Sequence, residues 1–96
     1  MSAERAPEEV ATRRKRLHMR AWWRGTKEMD LILGPFADAR LAAMDAAALS
    51  AFEAVLEEND QDLYRWITDQ GAAPSALRPL LAEIAVHART RLAPGG

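Results

Sequence analysis

The chain has 96 residues, no cysteine, about half apolar residues and a formal net charge of −1. This length suits one domain with a modest core, and it is too short for two domains. The lack of cysteine excludes disulfides and thiolate metal sites, and no apolar run is long enough to cross a bilayer.

The composition predicts an all-α fold. Alanine and leucine are abundant, and the apolar residues recur at helical spacing rather than in alternation. We therefore expect a single compact, bundle-like domain of five helices over residues 8–92. Residues 1–7 and 93–96 are predicted to be disordered tails.

The first predicted helix is basic and lies on the surface. Pro7 suits the first helical position, Glu8 and Glu9 suit the first turn, and the helix extends to about Trp23. Its apolar positions are few, so most of its circumference should face water. They are Val10, Leu17, Ala21 and Trp22.

The second predicted helix follows a glycine hinge. Gly25 breaks or bends the chain, and Thr26 can cap the helix that follows. The pair Gly34-Pro35 should weaken the end of this helix, and residues 37–44 fit either a helical extension or a loosely helical connector. The core-facing residues are Met29, Ile32, Leu33 and Phe36.

The third and fourth helices begin at polar caps. Asp45 is predicted to cap the third helix, Asp60 or Asp62 the fourth, and Gly71 to end the fourth. The apolar stripes are Leu49, Phe52, Val55 and Leu56, then Leu63, Trp66 and Ile67. The acidic residues Glu53, Glu57 and Glu58 are expected to face water.

The fifth helix should begin between Ser75 and Pro79 and carry a continuous apolar stripe. This stripe consists of Leu77, Leu80, Leu81, Ile84, Ala88 and Leu92. The histidines His18 and His87 are expected on different helices, as surface residues. Because no acidic cluster is spaced to join them, no metal site is predicted.

The N-terminal residues predict a cytoplasmic protein of bacterial type. A secretory signal needs an apolar stretch after its first charges, which this N-terminus lacks. A mitochondrial transit peptide is poor in acids, whereas Glu4, Glu8 and Glu9 lie among the arginines here.

Catalysis by this chain is not expected. Ser50 and Ser75 lack a plausible base, and Gly25 stands alone where a phosphate-binding loop needs several glycines. The many acidic residues are better explained as solvated helix faces than as an acid–base pair. We expect no stably bound cofactor.

The charges are unevenly distributed. Residues 1–24 hold seven basic and three acidic residues, whereas residues 26–70 hold three basic and ten acidic residues. The run 13–16 could bind nucleic-acid phosphates. We favour a solvated helix whose basic side meets the protein's own acidic middle or an acidic partner, because a charge run alone is weak support.

Two adjacent tryptophans precede the hinge. On a helix Trp22 and Trp23 point about 100° apart, so both cannot enter one core. One should pack and the other should lie at least partly on the surface. An exposed aromatic residue beside an arginine is typical of protein interfaces. The alternative, which the sequence favours equally, is that both tryptophans are shielded at the helix junction.

The residues 24–28, Arg-Gly-Thr-Lys-Glu, resemble the R-G-x-x-E motif of the SdhE family, also called succinate dehydrogenase assembly factor 2. The basic lead-in at 13–17 and the apolar second helix resemble the same family. A second block extends from Phe52-Glu53 to Trp66, so the resemblance covers roughly residues 13–71. The C-terminal helix is similar only in length and character.

The resemblance implies a five-helix protein without enzyme activity of its own. Such proteins bind the flavoprotein subunit of succinate dehydrogenase or fumarate reductase and promote covalent attachment of FAD, which the flavoprotein is thought to carry out itself. FAD is then the cofactor of the partner. We expect a monomer that binds neither nucleic acid nor membrane. The alternative is a dimer that forms only in crystals.

Carried over by position, the resemblance assigns a partner-binding surface. The predicted residues are Arg24, Gly25, Thr26, Lys27, Glu28 and Asp30, with Arg20, Trp22 and Trp23 as further interface candidates. A glycine allows close backbone approach, and the Arg24 and Glu28 charges can face a partner or orient each other.

Two positions depart from the family pattern. Trp23 stands where many relatives have histidine or another polar residue, so it is assigned no proton-transfer role. Gln61 stands where several have proline, which should change only the start of the fourth helix. The alternatives are a nucleic-acid-binding helical domain that uses the basic first helix, and a regulatory module for another partner.

Overall fold

The computed structural model describes residues 8–92, in which all regular structure is helical. The five helices are α1 (Val10–Trp22), α2 (Lys27–Arg40), α3 (Ala46–Leu56), α4 (Asp60–Ile67) and α5 (Arg78–Leu92). Short 3-10 turns cover Leu41–Ala43 and Ser75–Leu77. The predicted all-α class with five helices is confirmed, and the predicted tails lie outside the described residues.

Side-chain caps explain where three helices begin. The Thr26 hydroxyl accepts from the Met29 N–H at 3.4 Å, and the Asp45 carboxylate accepts from the Ala48 N–H at 2.9 Å, as predicted. The prediction for α4 was wrong. Asn59 caps this helix by accepting from the backbone N–H of residue 62 at 2.9 Å, which places both predicted caps in the first turn instead.

The expected weakening of α2 at Gly34-Pro35 was also wrong, because the helix continues to Arg40. Pro35 removes one backbone donor, but both residues are buried in the packed part of the helix. A Cβ added at Gly34 would overlap the Trp22 indole ring, so the glycine is a packing seat for that side chain. Residues 37–44 combine a helical extension with a 3-10 turn.

The segment between α4 and α5 differs from the prediction in one respect. Helix α4 ends at Ile67, before Gly71, and Asp69 adopts the left-handed conformation with φ of 62°. Aspartate is one of the few non-glycine residues that tolerate this region. Helix α5 begins at Arg78, within the predicted window.

The core joins the apolar faces of all five helices. The predicted stripes of α2 and α3 are buried, and the Phe36 and Phe52 rings meet at 5.9 Å between centroids. On α5 the stripe is buried at Leu81 and Ile84, while the Leu92 side chain lies outside the described part. Val10 is exposed, so the predicted stripe of α1 reduces to Leu17, Ala21 and the half-buried Trp22.

Two aromatic side chains differ in burial from the expectation. Trp66 is half-buried at the margin of the core rather than inside it. His87 is half-buried with its ring edge-on to Phe36 at 5.6 Å between centroids, so it is not simply a surface residue. The His18 side chain is 45% exposed and pairs with Asp38 at the surface.

Candidate partner-binding site

The junction between α1 and α2 is a four-residue turn, 23–26, with Gly25 at its bend. Gly25 has φ of 107°, a conformation that residues with a side chain rarely adopt. An added Cβ would have no heavy atom within 4 Å. The backbone conformation therefore requires glycine, and the space beside it is open to a partner.

An exposed strip surrounds this glycine, formed by Trp23, Gly25, Thr26, Lys27 and Glu28. All five residues are exposed, and 78% of the Trp23 surface is accessible. Among the described residues, the charged groups of Lys27 and Glu28 form no ion pair or hydrogen bond within the chain. These groups are therefore available to another molecule.

Arg24 lies in the same motif but faces the protein's own interior. Its Nε donates to Asp60 Oδ1 at 2.8 Å, and its Nη1 and Nη2 donate to the carbonyls of Leu56 and Glu58, each at 2.6 Å. Only 10% of its side chain is exposed. Both roles predicted for this arginine need correction, because it neither faces outward nor pairs with Glu28.

Asp30 completes the same set of contacts. Its Oδ1 accepts from the backbone N–H of Arg24 at 2.7 Å, and the residue is half-buried. This bond fixes the chain immediately before the glycine bend. Asp30 therefore supports the exposed strip from within and is not itself part of the exposed strip.

The interface candidates on α1 divide into inward and outward residues. Arg20 pairs with Glu57 at 3.0 Å and with Glu53 at 3.9 Å, so it is engaged within the chain. Trp22 packs against Gly34 and donates its Nε1–H to Asp38 at 3.2 Å. One tryptophan packs and the other, Trp23, is exposed, as the sequence predicts.

A trough continues from the exposed strip between α2, α4 and α5. It consists of two hollows of about 540 and 750 Å³ that share Glu28 and Tyr64. Tyr64 and Leu31 are among the exposed large apolar residues of the described chain, and both border the second hollow. The strip thus adjoins a broad, mainly apolar depression.

The basic run of α1 pairs with the protein's own acidic middle. Arg13 and Arg16 both bind the Glu53 carboxylate, at 2.9 and 3.0 Å, and Arg14 donates to the carbonyls of Leu41 and Met44. The favoured interpretation of the charge run is therefore confirmed, and Glu53 does not simply face water. A nucleic-acid role is not favoured, because three of these four cations are already engaged.

These contacts change the acidity of two carboxylates. Hydrogen bonds from Arg16 and then Arg13 hold the pKa of Glu53 below its ordinary value. Hydrogen bonds from His18 and then Trp22 lower the pKa of Asp38 in the same way. Both groups are therefore stabilised in their charged forms.

Within residues 8–92 no three side chains of metal-binding type gather into a possible metal site. No helix in the same range is long and apolar enough to cross a membrane.

The family described as "flavinator of succinate dehydrogenase" matches residues 15–88 of this chain. The chain belongs to this family. The match includes the junction, the exposed strip and every residue of the Arg24 contact set. The family resemblance seen at the R-G-x-x-E motif is thereby confirmed for most of the chain.

Relatives of the family occur in fungi, plants and bacteria. "Succinate dehydrogenase assembly factor 2, mitochondrial" of Penicillium rubens is 40% identical over 76 residues, which are 79% of this chain and 24% of that protein. The plant protein of that name from Arabidopsis thaliana is 34% identical over 62 residues, 65% of this chain and 33% of its own. "FAD assembly factor SdhE" of Acetobacter pasteurianus is 34% identical over 87 residues, 90% of this chain and 80% of its own.

This member of the family therefore spans about a quarter of the length of the fungal relative and most of the bacterial one.

The sequence did not identify Asp60 as a site residue, because an aspartate before an apolar helix is most simply a cap. Tyr64 lies within the second block of the family resemblance, between Phe52 and Trp66, and was assigned no role in the site. No sequence signal joins either residue to a motif more than thirty positions earlier.

Proposed function

We propose that this chain is an assembly factor that binds the flavoprotein subunit of succinate dehydrogenase or fumarate reductase and promotes covalent attachment of FAD to it. The observation that carries the proposal is the exposed strip around Gly25, which holds four of the five residues of the R-G-x-x-E motif in a chain of the flavinator family. The names of the fungal and bacterial relatives point to the same task.

The geometry of the strip suits docking. Gly25 leaves a gap in the side-chain surface beside the protruding indole of Trp23, so a partner backbone can approach closely. Glu28 supplies a charge without an ion partner among residues 8–92, and Tyr64 and Leu31 extend the surface with apolar area. An aromatic anchor beside open backbone is a common centre of a protein interface.

We assign the bond-forming chemistry to the flavoprotein itself. The factor acts by holding its partner in a conformation that favours attachment, since positioning alone can lower a barrier. It binds no cofactor stably, works as a monomer and resides in the bacterial cytoplasm. The bacterial relative, of which this chain covers most, supports the bacterial origin in this proposal.

The decisive experiment replaces Gly25 with arginine and measures covalent flavin on the co-expressed flavoprotein by in-gel fluorescence. We expect flavinylation to fall by about tenfold or more, the equivalent of roughly 1.4 kcal/mol or more of lost interaction. Circular dichroism and a urea titration of the isolated variant check that it remains folded.

Two control variants separate bulk from backbone strain. Gly25→Ala introduces the same unfavourable φ with little bulk, so its flavinylation should be intermediate. Ala47→Arg places the same large side chain at an exposed position near the start of α3, which borders neither the strip nor the trough, and it should be close to wild type. Wild-type flavinylation by folded Gly25→Arg would contradict the proposal.

A further inference from the structure

We infer that Asp60 is a positioning residue of the partner surface, acting through Arg24. The inference rests on the proposed function and extends it to a residue outside the motif. Asp60 lies on α4, far from the strip in sequence, and its carboxylate provides the countercharge of the motif arginine at 2.8 Å.

The contacts of Arg24 form a latch, defined here as Arg24, Asp60, Asp30 and the carbonyls of Leu56 and Glu58. All three guanidinium nitrogens donate within the chain, and the side chains of Arg24 and Asp60 are only 10% and 19% exposed. Charge-assisted bonds of this kind are about twice as strong as neutral ones. A surface arginine waiting for a partner would not be so fully engaged.

The latch joins the turn before α2 to the α3–α4 turn, which lies more than thirty residues later in the chain. The Leu56 and Glu58 carbonyls lie at the end of α3 and just beyond it, where a helix leaves its carbonyls without partners. Asp60 opens α4, and Asp30 in α2 holds the Arg24 backbone. Arg24 therefore ties the α3–α4 turn to the residue that precedes the glycine bend.

This arrangement determines the direction of the exposed strip. Gly25 by itself tolerates many backbone conformations, so the turn needs fixed points on both sides. The latch fixes one side, and the Thr26 cap fixes the other. Loss of the Asp60 carboxylate would leave a largely buried guanidinium without its countercharge, which favours rearrangement of the turn.

The test is a double-mutant cycle of Asp60→Ala and Arg24→Gln, read as the concentration of factor that gives half-maximal flavinylation of the flavoprotein. We expect each single variant to raise this concentration by about tenfold and the double variant to raise it no further, since both remove one latch. Asp60→Glu should recover part of the loss. Independent contacts with the partner would instead multiply to about a hundredfold, and that result would overturn the inference.

Asp62→Ala is the matched control. Asp62 is the other aspartate in the first turn of α4, and it contacts Asn59 and Arg65 rather than the latch. We expect this variant to remain within about twofold of wild type. An equal loss in the Asp60 and Asp62 variants would indicate a general fault in α4 and would refute a specific role for Asp60.

A second measurement does not need the flavoprotein. In the isolated protein, Asp60→Ala should shift the NMR resonances of the Gly25 amide and the Trp23 indole N–H, whereas Asp62→Ala should not. Unmoved resonances would overturn the inference even if flavinylation by the wild type is normal and Gly25→Arg abolishes it. Conversely, shifted resonances with no flavinylation by the wild type would refute the proposed function and leave the latch supported.

Discussion

The basic face of α1 and the exposed strip differ in how their polar groups are used. On the basic face, Arg13, Arg16 and Arg20 all meet acidic side chains of the same chain. In the strip, Lys27 and Glu28 have no ion partner among residues 8–92. The run of charge that is most conspicuous in the sequence thus stabilises the fold, and the inconspicuous residues around a glycine remain available to a partner.

The difference has a simple physical origin. Helix α1 has few apolar residues, so it packs on α3 with a row of ion pairs beside its small buried stripe. The turn after α1 bends at Gly25 and leaves the side chains of Trp23, Thr26 and Lys27 exposed, while Arg24 faces inward.

The largest expected effect separates the two tryptophans at the end of α1. Trp22→Ala should lower the free energy of unfolding by about 2–3 kcal/mol, because the half-buried indole packs against α2. Trp23→Ala should change it by less than about 0.5 kcal/mol, because that side chain is exposed. Urea titrations of both variants measure this contrast.

Trp23→Ala, which should hardly change stability, should have a large effect on the affinity for the partner. An interface tryptophan typically contributes about 2 kcal/mol or more, so we expect Trp23→Ala to weaken flavoprotein binding by roughly thirtyfold. Binding can be followed by titration calorimetry with the flavoprotein subunit. Unchanged affinity in this variant would show that Trp23 does not contact the partner. The contrast with the basic face would then depend on Gly25 and the residues after it.

A somewhat smaller effect on stability is expected at Gly34, the residue against which the Trp22 indole packs. Gly34→Ala gains helix propensity of about 0.5–1 kcal/mol, but the added methyl overlaps the indole ring. Overpacking costs about 1–3 kcal/mol, so the net effect should be destabilisation by roughly 1–2 kcal/mol in a urea titration. A stabilised Gly34→Ala protein would show that Trp22 is not held there.

The regular part of the fold was readable from the sequence. The spacing of apolar residues predicted the buried faces of α2 and α3, and Thr26 and Asp45 marked their starts correctly. The error in α2 arose where tertiary packing overrides local preference. Gly34 and Pro35 read as helix breakers, yet both are buried within α2, and the missing side chain of Gly34 leaves space for the Trp22 indole.

The candidate site was only partly readable. The motif located the strip, and the adjacent tryptophans were correctly divided into one packed and one exposed. The inward direction of Arg24 could not be foreseen, since its acceptors are two backbone carbonyls and one aspartate 36 residues away. Backbone acceptors leave no residue type for a sequence pattern to detect.

The smallest expected effect concerns Glu53, the carboxylate at the centre of the basic face. Arg13 and Arg16 bind both of its oxygens, and 27% of its side chain is exposed. Glu53→Gln should therefore lower the free energy of unfolding near pH 7 by about 1 kcal/mol, the upper range for such pairs. Urea titrations over a pH series measure the loss.

The pH dependence of that loss follows from the depressed pKa of Glu53 in the folded protein. A carboxylate whose pKa is lowered in the folded protein contributes its full stabilisation at pH values above its pKa in the unfolded chain, which is ordinarily 4.5. This contribution is lost as the pH falls through the pKa of the folded protein. The difference in the free energy of unfolding between wild type and Glu53→Gln should thus be constant above about pH 6 and shrink below about pH 4.5.

Glu57→Gln is the control, since it removes only the single exposed pair with Arg20. It should lower the free energy of unfolding by less than about 0.5 kcal/mol. A loss at Glu53 that is also below about 0.5 kcal/mol would mean that the basic face is merely solvated, and the contrast with the exposed strip would then rest on burial alone.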